Sequence, residues 1–105
     1  MNQQLNDSLT AIFKPRTVAI VGASNSPRRW GFGTLRNMIA AGFHNRLFPV
    51  NPNETEVQGI KCYPSLDRIP DQVDLAVIVV NTSLIAEVVE ACIKNRVKGG
   101  IVITP

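Results

Sequence analysis

Cysteine, histidine, clustered positive charge and long apolar runs are all scarce in this 105-residue chain, and each scarcity excludes something. The two cysteines, Cys62 and Cys92, stand 30 positions apart. That is no metal-ligand spacing, and it reads as two reduced, buried thiols of a cytosolic protein. The single histidine, His44, sits in a loop before the second expected strand and is read as an exposed loop residue. No catalytic residue and no metal site is assigned. No stretch approaches the ~18 consecutive apolar residues that a membrane span needs. Met1–Asp7 has neither a basic segment nor an apolar one, so no signal peptide is read there. Nor is there a dense Lys/Arg run or an interleaving of basic and aromatic residues, which argues against a nucleic-acid partner.

What is present is the composition of one globular domain, 45% hydrophobic and 18% charged. The net charge of +3 is unevenly spread. Residues 1–50 carry six Lys/Arg against Asp7 alone, whereas residues 51–105 carry five against seven acids. A positive field over the first half favours an anionic ligand there.

That half contains Thr17–Gly33, TVAIVGASNSPRRWGFG. The continuously apolar run Thr17–Val21 is the pattern of a parallel strand covered on both faces. It meets Gly22, a small polar and basic loop, and then a helical pattern from about Gly31 to Ala41 with apolar residues at Phe32, Leu35, Met38 and Ile39. Gly42 is placed to end that helix. Strand, glycine-containing turn and helix present backbone N–H groups to a phosphate. A plain strand-to-helix turn would explain the glycines, but not the adjacent Arg28 and Arg29.

Further strands are expected at Arg46–Val50, Ile60–Tyr63, Asp74–Val80 and Ile101–Thr104. A helical turn is expected at Ser65–Ile69, and a second long helix opens at Asn81-Thr82-Ser83 with Ile85, Val88, Val89 and Cys92 as its buried stripe. Strands separated by helix-length segments imply right-handed βαβ crossovers. The expected fold is α/β and Rossmann-like: three layers, a five-stranded parallel sheet of order 3-2-1-4-5, and helices on both faces. Residues 1–16 form an N-terminal arm and 17–105 the domain. Ligands of such sheets bind beyond the carboxyl ends of the strands at the switch point.

The loop is not a dinucleotide fingerprint. Starting from Gly22, G-x-G-x-x-G needs glycines at 24 and 27, where the chain has Ser24 and Pro27. The end of the second strand carries Asn51 rather than the acid that accepts ribose hydroxyls in NAD proteins. The loop suits a ligand with several phosphates and few demands on ribose hydroxyls, a description that coenzyme A meets. Trp30 either covers the loop or stacks on a base, and Asn51 is either a turn residue or a ligand-side one.

FKPRTVAIVGAS, WGFGTLRNMIAAGF, FPVNPNETEVQGIKCYPSL, DLAVIVVNTS and GGIVITP stand in an order and spacing that resemble the CoA-binding domain of NDP-forming acyl-CoA synthetases, the superfamily of the succinyl-CoA ligase α subunit. The resemblance implies that Gly22, Ala23, Ser24, Ser26, Arg28 and Arg29 line the pyrophosphate region. It implies that Asn51, Pro52 and Asn53 flank the nucleotide end, and that Val80, Asn81, Thr82, Ile103 and Thr104 approach the pantetheine arm. It further implies CoA or acyl-CoA as the bound partner. ATP or ADP with Mg, and the phosphorylated histidine, belong to downstream domains or a separate ATP-grasp subunit. Val80-Asn81, where many members have Val-Pro, is similar instead to related protein lysine acetyltransferases, so two parents stay open. A stand-alone nucleotide-sensing module is a third reading.

Overall fold

The computed structural model describes residues 14–103, together with Gln3 and Ile12. Most of the proposed arm 1–16 lies outside these residues, as does Thr104; Ile12 packs against the core. Strand β1 (Val18–Val21) is buried along its whole length, as a strand with four successive apolar residues must be when both faces are covered. It pairs in parallel with β2 (Leu47–Val50) on one side and with β5 (Leu75–Ile78) on the other, and β6 (Gly99–Val102) completes the sheet beside β5. Helix α1 (Trp30–Ala40) joins β1 to β2, and α2 (Thr82–Lys94) joins β5 to β6.

Alternate residues of β1 look into two separate cores. Val18 and Ile20 pack with Leu35, Met38 and Ile39 of α1. Ala19 and Val21 pack with Val88, Ala91 and Cys92 of α2. The helices therefore cover opposite faces, giving the three layers expected. Cys62 is buried and Cys92 partly so; both are free, and burial pushes both thiols above their ordinary range. Among the described residues no helix is long and apolar enough to cross a membrane.

The sheet corrects the expected five-strand order. It has four strands in the order β2-β1-β5-β6, and a separate two-stranded antiparallel hairpin, β3 (Glu56–Val57) with β4 (Ile60–Lys61). The missing strand is reduced to one parallel bridge between Tyr63 and Val50. The reason lies in the donors. Tyr63 donates its N–H to the Pro49 carbonyl and accepts from the Asn51 N–H. One step back the ladder needs an N–H on Pro49, which has none. The Cys62 N–H, on the other side of the chain, donates to the Thr55 carbonyl at 2.9 Å and continues the hairpin.

Three smaller differences have similar causes. The turn at Ser65–Ile69 is a 3-10 helix of Leu66–Arg68. The last strand starts at Gly99 because the left-handed exit from α2 falls on Arg96, φ +56°, not on a glycine. Val97 and Arg96 then donate back to the Cys92 and Ile93 carbonyls, whereas Gly42 makes the corresponding exit from α1. The stripe of α2 is only half-buried: Val88 and Cys92 pack on the core, whereas Val89 is 38% exposed and Ile93 73% exposed. The backbone of His44 belongs to a 3-10 turn before β2, at the end of the sheet opposite the switch point.

Candidate ligand-binding site

At the carboxyl end of β1 the backbone is packed too tightly for side chains. Gly22 has φ +97°, and a Cβ there would overlap the Val79 carbonyl oxygen. A Cβ at Gly31 would overlap the carbonyl oxygen of Gly22 itself. The first turn of α1 can therefore rest directly on the end of β1. The Gly22 N–H donates to Val50 at 2.9 Å, and the Val79 N–H donates to Val21 at 2.8 Å. The ends of β1, β2 and β5 thus meet at one glycine, which is the switch point of the sheet.

Two clefts open from this point. The first, about 240 Å³, is lined by Gly22, Arg28, Arg29, Trp30, Gly31, Val79, Val80 and Asn81. Both long helices start at its rim. Neither has a side-chain cap hydrogen bond or an acid in its first turn, so their N-terminal N–H groups and positive dipole ends are left for another acceptor. Asn81 thus occupies the cap position of α2 without capping through its side chain. Among the described residues the ion pairs are Lys94–Asp67 and Lys98–Asp74, so Arg28 and Arg29 are not neutralised by an acid. Trp30 stands beside them, 52% exposed. The cleft is therefore cationic, with arginine side chains unpaired among the described residues and two helix N-termini at its rim.

The second cleft, about 360 Å³, shares Gly22 and Val80 with the first and is mainly apolar. Val21, Val50, Pro52, Pro64, Leu66, Leu84, Val88 and Ala91 form its walls, with Ser65 and Glu87 as its polar groups. Its size and lining suit a flat heterocycle. Of its lining, Pro52 was expected at a nucleotide end and Val80 along the pantetheine arm, whereas Pro64–Leu66, Leu84, Glu87 and Ala91 were not among the expected site residues. The available signal was the i, i+3, i+4, i+7 spacing of 84, 87, 88 and 91, which carries the edge of the core-facing stripe of α2 out to Leu84 and Glu87.

The remaining expected site residues support the loop or lie elsewhere. Ala23 is fully buried, and its carbonyl accepts the Asn51 Nδ2 at 2.9 Å. Asn51 Oδ1 in turn accepts the Asn53 N–H, and Ser24 Oγ accepts the Ser26 N–H, both at 2.9 Å. Asn51 is thus committed to holding the loop. Asn53, Thr82 and Ile103 line neither cleft; Ile103 donates its N–H to Ile78 and packs on the α1 side. Replacing Asn51 by Asp keeps the acceptor, removes the donor and sets a carboxylate against the Ala23 carbonyl. We expect N51D to cost about 1–3 kcal/mol, a drop of several degrees in thermal melts, and to confer no stabilisation by NAD.

The profile of the family described as CoA binding domain matches residues 16–104. The chain is 38% identical over 96 residues to acetate–CoA ligase (ADP-forming) II of Archaeoglobus fulgidus, covering 91% of this chain and 14% of that protein. It is 40% identical to the α subunit of acetate–CoA ligase (ADP-forming) II of Pyrococcus furiosus, covering 91% of this chain and 21% of that one. The chain thus spans only a seventh to a fifth of the length of these relatives. The structure of the dinucleotide-forming acetyl-coenzyme A synthetase 1 of Ca. Korarchaeum cryptofilum, solved with phosphate and ADP, superposes with a TM-score of 0.88 at 40% identity. That match covers 94% of this chain and 21% of the synthetase. The chain belongs to the CoA-binding domain family and is homologous to the α subunits of ADP-forming acetate–CoA ligases.

Proposed function

We propose that this chain is the CoA-holding part of an ADP-forming acyl-CoA ligase. The observation that carries the reading is the pair of clefts joined at Gly22 and Val80, one cationic and fed by two helix N-termini, the other apolar. CoA has a matching layout, with a purine at one end, a pyrophosphate next to it and an uncharged thiol arm beyond. In this reading the purine enters the cleft walled by Pro52, Leu66, Leu84 and Val88. The pyrophosphate lies over Gly22–Ser26 with Arg28 and Arg29, and the thiol arm leaves past Asn81 toward Thr82, Ile103 and Thr104. Residues 17–105 make up the CoA domain and 1–16 an arm. Acyl activation, ATP or ADP with Mg, and an ATP-grasp unit belong to other domains or a partner subunit, in the cytoplasm. The curated relatives favour the ligase parent over the acetyltransferase one.

The test is a thermal melt with CoA, ADP and NAD in parallel. At a hundredfold excess over its dissociation constant, CoA should stabilise the domain by about 2.7 kcal/mol, which is roughly 10–20 °C for a domain of this size. ADP and NAD should shift it less. A clear shift with NAD and none with CoA would return the site to the dinucleotide reading.

A further inference from the structure

The hairpin that takes the place of the fifth strand touches the phosphate loop at three points. Its two-residue turn, Gln58-Gly59, has φ of +51° and +83°, the signs of a type I′ turn. Asn, Asp or Gly is favoured at the first of these positions, and a glutamine there is strained. Its side chain gives a reason. Gln58 Nε2 donates to the Ser24 carbonyl at 3.2 Å and to the Phe32 carbonyl at 3.0 Å, one at each end of the loop. The Gln58 N–H donates to Asn25 Oδ1 at 2.9 Å, and Asn25 Nδ2 donates back to the Glu56 carbonyl at 2.9 Å and to Glu54 Oε2 at 3.2 Å. The hairpin is itself anchored, because Val57 is fully buried in the core.

We propose that this hairpin is a latch that presets the loop for its anionic ligand, and that Gln58 is a positioning residue for CoA binding. The inference rests on the function proposed above. Eight residues separate Gly22 from Gly31, and Arg28 and Arg29 sit in the outer part of that span, away from the sheet ladder. Left untied, such a loop would have to be ordered by the ligand at the moment of binding, at the expense of affinity. With Ser24 and Phe32 tied to one amide, the ends of the loop are held before the ligand arrives. Gln58 lines neither cleft, so its effect on binding passes through the loop.

The turn geometry supplies a clean experiment. Gln58→Gly and Gln58→Asn both install residues that the turn prefers, and neither reaches the two carbonyls. Melting temperatures should stay within a few degrees of the native chain. CoA affinity, measured by titration calorimetry, should fall about tenfold in both variants. Amide exchange without ligand should accelerate across residues 24–32 and stay unchanged in β1 and β5. CoA affinity within twofold of native, or unchanged exchange in the loop, overturns the latch. If the native chain itself binds no CoA, the proposed function fails, and the exchange comparison alone decides whether the latch exists.

Discussion

Gly22→Ala is expected to be the most damaging single substitution in the domain. The added methyl would meet the Val79 carbonyl oxygen and stand 3.2 Å from Val80 Cγ1, at a φ of +97° that L-residues rarely adopt. The obstacle is backbone of the central strand pair, so it cannot swing aside as a side chain can. Overpacking costs about 1–3 kcal/mol and the left-handed conformation about 1–3 more. A total near 4 kcal/mol is a large part of a small domain's stability, and corresponds to a fall in melting temperature of roughly 15–30 °C. Gly33→Ala is the matched control. That glycine lies inside α1 with nothing within 4 Å of its would-be Cβ, so alanine should stabilise by about 0.5–1 kcal/mol. Thermal melts of both variants check the pair. A G22A protein that melts with the native chain would show that the ends of β1 and β5 do not approach one another as closely as described.

The same glycine illustrates what could be read from the chain and what could not. Continuous apolar runs marked β1 and β5, because a parallel strand buried on both faces has no polar positions to interrupt it. The turn at Gly22 and the exit at Gly42 were legible since each needs a conformation that glycine supplies cheaply. The edge of the sheet was not. Ile60–Tyr63 has strand-forming residues, but its pairing with β2 lacks the N–H of Pro49, in a register that the segment's own pattern does not reveal. The strand start at Gly99 was equally hidden, because the left-handed turn fell on Arg96 against local preference.

In the site, the residues that follow strand ends were identifiable as a group, since topology sends every ligand of such a sheet to that end. Their division of labour was not. Asn51 carries the same amide whether it faces a ribose or the Ala23 carbonyl, and only the fold shows the second. Gln58 joins segments 26 and 34 positions away, and a contact of that range leaves no periodicity behind. Polar side chains that hold a loop and polar side chains that hold a ligand look alike in one dimension.

Arg28 and Arg29 are the residues for which this distinction has the largest consequence for binding. Both are exposed, both line the cationic cleft, and neither is held by an acid among the described residues. Removing them should therefore leave the fold alone: the double variant Arg28→Ala/Arg29→Ala is expected to melt within about 2–3 °C of the native chain. Binding is a different matter. A charge-assisted hydrogen bond to a phosphate contributes about 1.5–3 kcal/mol, so losing both should weaken CoA about a hundredfold or more. Salt dependence gives a second readout, because the native affinity should fall as ionic strength rises and the double variant's should fall less steeply. The single variants then assign the contact. If one arginine faces solvent, its alanine variant binds nearly as the native chain does and the other carries almost the whole loss. Titration calorimetry at two salt concentrations measures all of this. A double variant that binds CoA within threefold of native would mean that the backbone N–H groups at the helix N-termini hold the phosphates by themselves, and that the positive charge of the first half of the chain serves some other partner.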